Sequence, residues 1–374
     1  MTNKLSEPRT TTQNKYMKKT LLLAALTALG STAAFAQVDV TVTGSSAFRA
    51  ITIDRTFASF DAAGRVAQTN DATIGLITIS GTMQGSAPTL GTTPVKVRLS
   101  FSGSAQGMID VKNSNPINVA VLPSESTPGV SNSTRVPDLA LSDVFPGSAT
   151  PPIAESAFNR FVLGVVPFTF ARNNALVGIT NITQAQANLL MVASGNFGMP
   201  ATFLGGSSVN PVYLIGRDSE SGTRISVEKD INFVGSPLLW TTNGAGTYVV
   251  TNGLPSGGLL RNVVKGKSDA IGYMGLSDFN AISAFATSIP FNGVGFSHTN
   301  VNTGSYSLWG YEHMVNKAGG LSAQKSAVRD AIKAAITNPG FQQTNTLYNV
   351  NFSSLTDMHV ERGADGAVPT SLDF

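Results

Sequence analysis

Apolar and polar residues alternate along Val38-Asp-Val-Thr-Val-Thr43 and again along Val95-Lys-Val-Arg-Leu-Ser-Phe101, a period of two that predicts strands. A Gly44-Ser45-Ser46 turn follows the first, and helical spacing then runs from Ala47 to Phe60. Phe161 to Phe170 is a continuous apolar, β-branched run and predicts a buried strand. Leu139 to Asp143 reads as a short strand ending on an acid, and Pro211–Ile215 and Ala270–Gly275 as further strands. Thr183-Gln-Ala-Gln186 has the form of a capping box and opens a helix through Ala187, Leu190 and Met191. A helix carrying Ile225 and Val227 follows Thr223, and another is expected over Leu259–Lys265. Ser322 to Thr337 is amphipathic and closes at Asn338-Pro339. Residues 123–137 and 146–152, rich in Pro, Ser and Gly, are expected to be surface loops. Strands and helices alternate with no internal repeat, so the class is α/β with mixed sheets.

Residues 17–36 alter the reading of the charge. Lys18 and Lys19 precede the apolar stretch Leu21–Leu29, and Ala34-Phe35-Ala36 forms a small-residue cleavage site, the layout of a secretory signal peptide. The apolar stretch is too short for a membrane span of roughly 20 residues. Met17 is as good a start as Met1, and the mature chain would begin at Gln37. The leader takes five basic residues and one acid with it, so +3 becomes −1. A basic nucleic-acid face therefore loses its support. Charged residues make up only 13% of the chain, and a hydroxyl-rich surface of that kind suits a secreted protein. There is no Cys, which excludes disulfides, thiolate metal sites, a Cys nucleophile and a lipid-modified N-terminal Cys. The three His, at 298, 313 and 359, fall in no metal-ligating pattern.

Three joints share one layout of strand, small-residue turn and helix: Thr43–Phe48, Ser102–Gly107 and Ser219–Thr223. A helix start presents unpaired N–H groups and partial positive charge, and small residues let an anion approach them. Arg217 leads into the third turn, and its planar fork matches two oxygens of a tetrahedral oxyanion. Asp143, at a strand end, can accept a hydrogen bond from a protonated oxyanion, which would favour hydrogen phosphate over sulfate.

The segments TGSSAF at 43–48, FSGSAQG at 101–107, LALSDVF at 139–145, RDSESGT at 217–223 and DAIGYMGLSD at 269–278 resemble, in this order, the phosphate-binding proteins of bacterial phosphate ABC importers. ITQAQANLLMVASG at 182–195 and SYSLWGYEHMV at 305–315 are similar to further family segments. The resemblance implies a two-lobed type II periplasmic binding fold, each lobe a mixed sheet flanked by helices, with two interlobe crossings. Lobe 1 would hold residues 38–166 and 299–374, and lobe 2 residues 167–298, after a leader over 1–36. It further implies that Ser46, Ala47 and Phe48 give amides and a hydroxyl, and that Ser104 or Ser102 donates. Asp143 would accept the phosphate proton, and Arg217, Ser221, Gly222 and Thr223 would form the second half of the site. Inorganic phosphate or a similar oxyanion would be the ligand, the permease subunits of an ABC transporter the partner, and the protein a periplasmic monomer without cofactor, metal or catalytic residues. Three positions depart from the family. Ser219 stands where an acid orients the arginine, leaving Asp218 or Glu220 to do so. Ala47 stands where a Thr donates, leaving Ser45 or Ser46. The insertion at 123–137 has no counterpart.

Other classes fit less well. Gly266-Lys-Ser268 matches only the end of a P-loop, because Arg261 stands where that loop needs Gly. A phosphate-ester hydrolase using Ser46 or Ser221 lacks an obvious base or metal set. An envelope structural or adhesive protein on the same scaffold, or a binder of an organic phosphate, is the alternative. Phe168, Tyr273, Trp309 and Tyr311 are expected in core or hinge packing.

Overall fold

A computed structural model of the protein describes residues 37–70, 76–84, 89–125, 131–192, 198–339 and 352–372. The signal-peptide segment, and the part of the helix after Thr183 beyond residue 192, lie outside the described residues. In chain order the first elements are β1 (Val38–Gly44), α1 (Arg49–Ala58), β2 (Val66–Asn70), β3 (Leu76–Gly81), β4 (Val95–Ser100), α2 (Ser104–Asn113), β5 (Ile117–Ala120), β6 (Asn132–Arg135), β7 (Leu139–Ser142) and β8 (Phe158–Asn173). They are followed by α3 (Gln184–Val192), β9 (Met199–Pro200), β10 (Pro211–Ile215), α4 (Gly222–Asp230), β11 (Leu239–Thr242), β12 (Tyr248–Thr251), α5 (Gly257–Gly266), β13 (Ala270–Gly275), α6 (Leu276–Asn280) and β14 (Ala286–Ile289). The last are α7 (His298–Asn302), β15 (Trp309–Lys317), α8 (Ala323–Ile336), β16 (Val360–Glu361) and β17 (Thr370–Ser371).

The main sheet runs β2-β3-β4-β1-β7-β15-β8-β13-β10-β9, with β14 also paired to β8. β4 and β7 flank β1 in parallel, so their C-terminal ends lie at one edge of the sheet. β10 and β13 are likewise parallel. β15 and β8 are antiparallel to their neighbours and join the two parallel groups. β8 extends farther than its apolar run predicts. Its first part, to Pro167, pairs with β15, and its remainder, from Phe168, pairs with β13 and β14. The core contains Val40, Val42, Leu99 and Leu141 from one group, Leu214, Ile271 and Tyr273 from the other, and Phe168 and Trp309 between them. These last aromatics are packed as the sequence suggests.

The capping box forms as read. Thr183 N–H donates to Gln186 Oε1 at 2.9 Å, and Gln186 N–H to Thr183 Oγ1 at 3.2 Å. Ser322 caps α8 by accepting from Lys325 N–H at 3.2 Å.

One reading of the sequence changes. Residues 123–137 are not all loop, because Asn132–Arg135 pairs antiparallel with Ile117–Ala120. Polar side chains at every position of β6 hid the strand, whose backbone pairing needs no apolar face. The alternation in β4 would suit a strand with one wet face, yet all of β4 is buried. Arg98 on that face is completely buried and ion-paired to Asp39 at 2.9 Å and Glu125 at 2.7 Å. Burial works against the Glu125 charge, but hydrogen bonds from Arg98 and Lys96 bring its pKa down to about 2.

The segment 352–372 completes the core. Phe352 packs its ring on Gly164 and lies 5.0 Å from the Phe48 ring. Buried Arg362 pairs with Asp230 at the end of α4 at 2.8 Å and donates to Trp309 O at 2.8 Å.

Candidate functional site

The three small-residue turns meet at the C-terminal ends of the parallel strands, where open α/β sheets place ligands. Gly103 N–H donates to Gly44 O at 2.9 Å, tying the second turn to the first. Ala105 N–H donates to Glu220 O at 3.1 Å, tying the second to the third. Gly103 holds φ +111°, and a Cβ there would stand 2.9 Å from Glu220 O, so the approach of these turns needs glycine. α2 and α4 start in this cluster, and α1 starts just after the first turn, so N–H groups with partial positive charge converge on it.

Asp143, one residue past β7, is 1% exposed. Ser104 Oγ donates to its Oδ1, and Thr223 Oγ1 donates to Oδ2 at 3.5 Å. Ser226 Oγ donates to the Asp143 carbonyl at 3.3 Å. Burial raises the Asp143 pKa, and the Ser104 hydrogen bond and the Arg217 charge oppose it. Ser102 instead shares a hydrogen bond with Thr43 at 3.1 Å, so of the two candidate hydroxyls Ser104 is the one on the acid.

Arg217 is 2% exposed. Its guanidinium donates to Ser46 Oγ at 3.0 Å, Leu254 O at 2.9 Å and Pro255 O at 3.1 Å. Its backbone N–H donates to Tyr273 Oη at 3.2 Å. Carbonyl oxygens, not an acid, therefore orient the fork. Glu220 accepts from Ser219 Oγ instead, at 3.0 Å, and Asp218 acts on Arg217 through its charge alone. Carbonyls of the 254–255 segment carry no sequence signal, and that is why residue types pointed to the acids.

Ser45 and Ser46 divide the first turn. Ser45 Oγ accepts from Phe48 N–H at 3.3 Å, and Ser46 Oγ meets Arg217. The Ala47 carbonyl accepts from Ser277 Oγ of α6 at 3.1 Å, and Phe48 is buried. Ser221 is the N-cap of α4, accepting from Arg224 N–H at 3.4 Å. The Cα of Gly222 lies against Asp143, and Thr223 is the first-turn hydroxyl on that acid. All nine sequence candidates are thus buried near these turns, with the side chains of Ala47 and Phe48 in the apolar core and the polar side chains in the hydrogen bonds above.

Two basic residues escaped the sequence reading. Arg261 donates to Asp278 Oδ1 at 2.9 Å. Burial raises the Asp278 pKa, opposed by the charges of Arg261, Arg49 and Arg217. Burial lowers the Arg49 pKa, with Asp278 opposing and Arg261 and Arg217 adding to the decrease. The charges of three guanidinium groups thus act on this one buried acid. Arg49 directly follows SSAF, and Asp278 closes DAIGYMGLSD, so both lay beside recognised segments. Among the described residues no group of His, Cys, Asp and Glu could hold a metal ion. No described helix is long and apolar enough to cross a membrane.

The main sheet is mixed and flanked by helices, with helix starts and buried Arg217 gathered at strand ends. Comparison with solved structures agrees on the fold. A protein of Clostridium perfringens, described as a phosphate ABC transporter substrate-binding protein with bound phosphate, superimposes with a TM-score of 0.54 at 14% identity, over 84% of this chain and 99% of that one. An ABC-type phosphate transport receptor from Vibrio cholerae superimposes with a TM-score of 0.50 at 15% identity, over 84% of this chain and 99% of that one. No family model matches the sequence, and no curated protein does.

Proposed function

We propose that the protein is a periplasmic solute-binding protein that holds inorganic phosphate between two lobes and delivers it to the permease subunits of an ABC importer. The observation that carries the reading is the convergence of buried Arg217 and buried Asp143 on one cluster of serine, threonine and helix-start amides. The arginine and amides suit the charge of a dehydrated anion, and Asp143 suits its proton, an acceptor that sulfate cannot satisfy at neutral pH. The reading is of binding without turnover, in which Ser46 meets the Arg217 fork and Ser221 caps α4. The change of partners along β8 at Pro167/Phe168 supports a lobe boundary there, with residues 38–166 and 299–374 in one lobe and 167–298 in the other. Export by the signal peptide supports a periplasmic location.

Calorimetric titration of the purified protein tests this. Saturable binding of phosphate at one site, uncompeted by a large excess of sulfate, is expected. Absence of phosphate binding, or equal binding of sulfate, would rule the reading out.

A further inference from the structure

β15 carries an acid that neither its strand pattern nor the residues already described account for. His313 pairs with Ser142 of β7. Glu312 and Asp143 therefore follow on adjacent antiparallel strands, side by side where β7 ends. Glu312 is completely buried, and neither of its carboxyl oxygens has a hydrogen-bond partner. A buried carboxyl of this kind calls for an explanation, and a bound ligand is one.

Two groups face Glu312. Asp143 adds its charge from β7, and Ser45 lies close enough from the first turn to favour the charged form, without a hydrogen bond of normal geometry. Arg217 and Asp365 act on Asp143 through their charges. Burial, and then the charge of Asp143, push the Glu312 pKa well above the carboxylate range. Two carboxyls this close in a dry site do not both ionise. Asp143 has Ser104, Thr223 and the Arg217 charge to stabilise its anion, whereas Glu312 has only Ser45 nearby. The proton therefore stays on Glu312, and a carboxyl O–H is a donor in need of an acceptor. Ser45 and Asp143, its two neighbours, both border the anion site.

We propose that Glu312 is a further ligand-binding residue of this site, its carboxyl O–H donating to one oxygen of the bound tetrahedral oxyanion while Asp143 accepts from the ligand's own hydroxyl. The proposal rests on the phosphate reading and deepens it. An uncharged donor adds a hydrogen bond to the anion without adding charge, and it completes a pairing of one donor and one acceptor on adjacent strands.

The test is calorimetric titration of inorganic phosphate into the wild type, Glu312→Gln and Glu312→Leu at neutral pH. Gln keeps an N–H donor in nearly the same shape, and Leu keeps only the bulk. Phosphate should bind Glu312→Leu about tenfold or more weaker than Glu312→Gln. Equal affinities in the two variants overturn the proposal. A wild type that does not bind phosphate overturns the phosphate reading itself. Should Glu312→Leu fail to fold, infrared difference spectra decide. The protonated-carboxyl band present in the wild type and missing from Glu312→Gln is expected to shift on phosphate saturation. A band that does not move, or no such band, overturns the proposal.

Discussion

The Cα of Gly222 rests on the carboxylate of Asp143: a Cβ at residue 222 would stand 1.6 Å from Oδ1 and 2.6 Å from Ser104 Oγ. This contact presses the start of α4 onto the end of β7 and joins the arginine turn to the acid. Both neighbours are buried and hydrogen-bonded, so neither can yield cheaply. Gly222→Ala is expected to separate the two halves of the site, destabilise the fold by about 1–3 kcal/mol and abolish tight phosphate binding. Titration and thermal unfolding would show it, and wild-type affinity in this variant would contradict the geometry.

Arg217→Ala removes the fork that holds Ser46, Leu254 and Pro255. Phosphate affinity should fall by about a hundredfold or more, since the desolvated anion would lose its charged donor. Arg217→Lys should not restore it, because a point charge cannot match the three acceptors the fork now holds. If Arg217→Ala binds as the wild type does, the anion site lies elsewhere.

Asp143→Asn keeps the shape and gives up a pure acceptor for a group that also donates. Sulfate should then compete with phosphate, narrowing the selectivity ratio by about tenfold or more. Competition titration measures the ratio directly, and an unchanged ratio removes Asp143 from proton recognition.

His313 is buried, and burial, with the charge of Arg160 adding to it, lowers its pKa to about 3. The unfolded chain binds this proton near pH 6.5 and the folded chain does not. Stability from His313 is therefore intact above about pH 6.5 and is lost as pH falls toward 3. The raised acids Asp230 and Asp365 act in the opposite direction over the same range. Comparing the wild type with His313→Gln isolates the histidine. Between pH 6 and 4 the wild type should lose roughly 1.4 kcal/mol per pH unit more than the variant in denaturant unfolding. Parallel curves would contradict this.

Arg362 and Asp230 form an ion pair whose side chains are 3% and 2% exposed. Arg362→Met leaves a buried carboxylate unpaired and is expected to cost about 3–5 kcal/mol, with Asp230→Asn in the same chain recovering part of it. Even with Arg362 present, burial raises the Asp230 pKa to about 7. Without it the Asp230 pKa should rise further, so the single variant should gain stability relative to the wild type as pH falls toward 7, and the two should run parallel once the acid is protonated in both. Denaturant unfolding at two pH values checks both the loss and its direction.

Local chemistry was enough to mark the turns and their helices. Gly44-Ser45-Ser46, the capping box at 183–186 and the apolar run within β8 act over a few residues, where spacing alone fixes backbone conformation. Arg217 and Asp143 could be singled out because a fork matches a tetrahedral oxyanion and an acid at a strand end can accept its proton, although ordinary ion pairing and capping use the same residue types. Tertiary structure decided the rest, because it depends on contacts between distant segments. Carbonyls of 254–255 orient Arg217 in place of the expected acids, and a main-chain oxygen has no residue type by which to be recognised. β6 is a strand only because β5 lies beside it. Glu312 looks like any polar residue on a strand until β7 sets Asp143 next to it and the core closes over both.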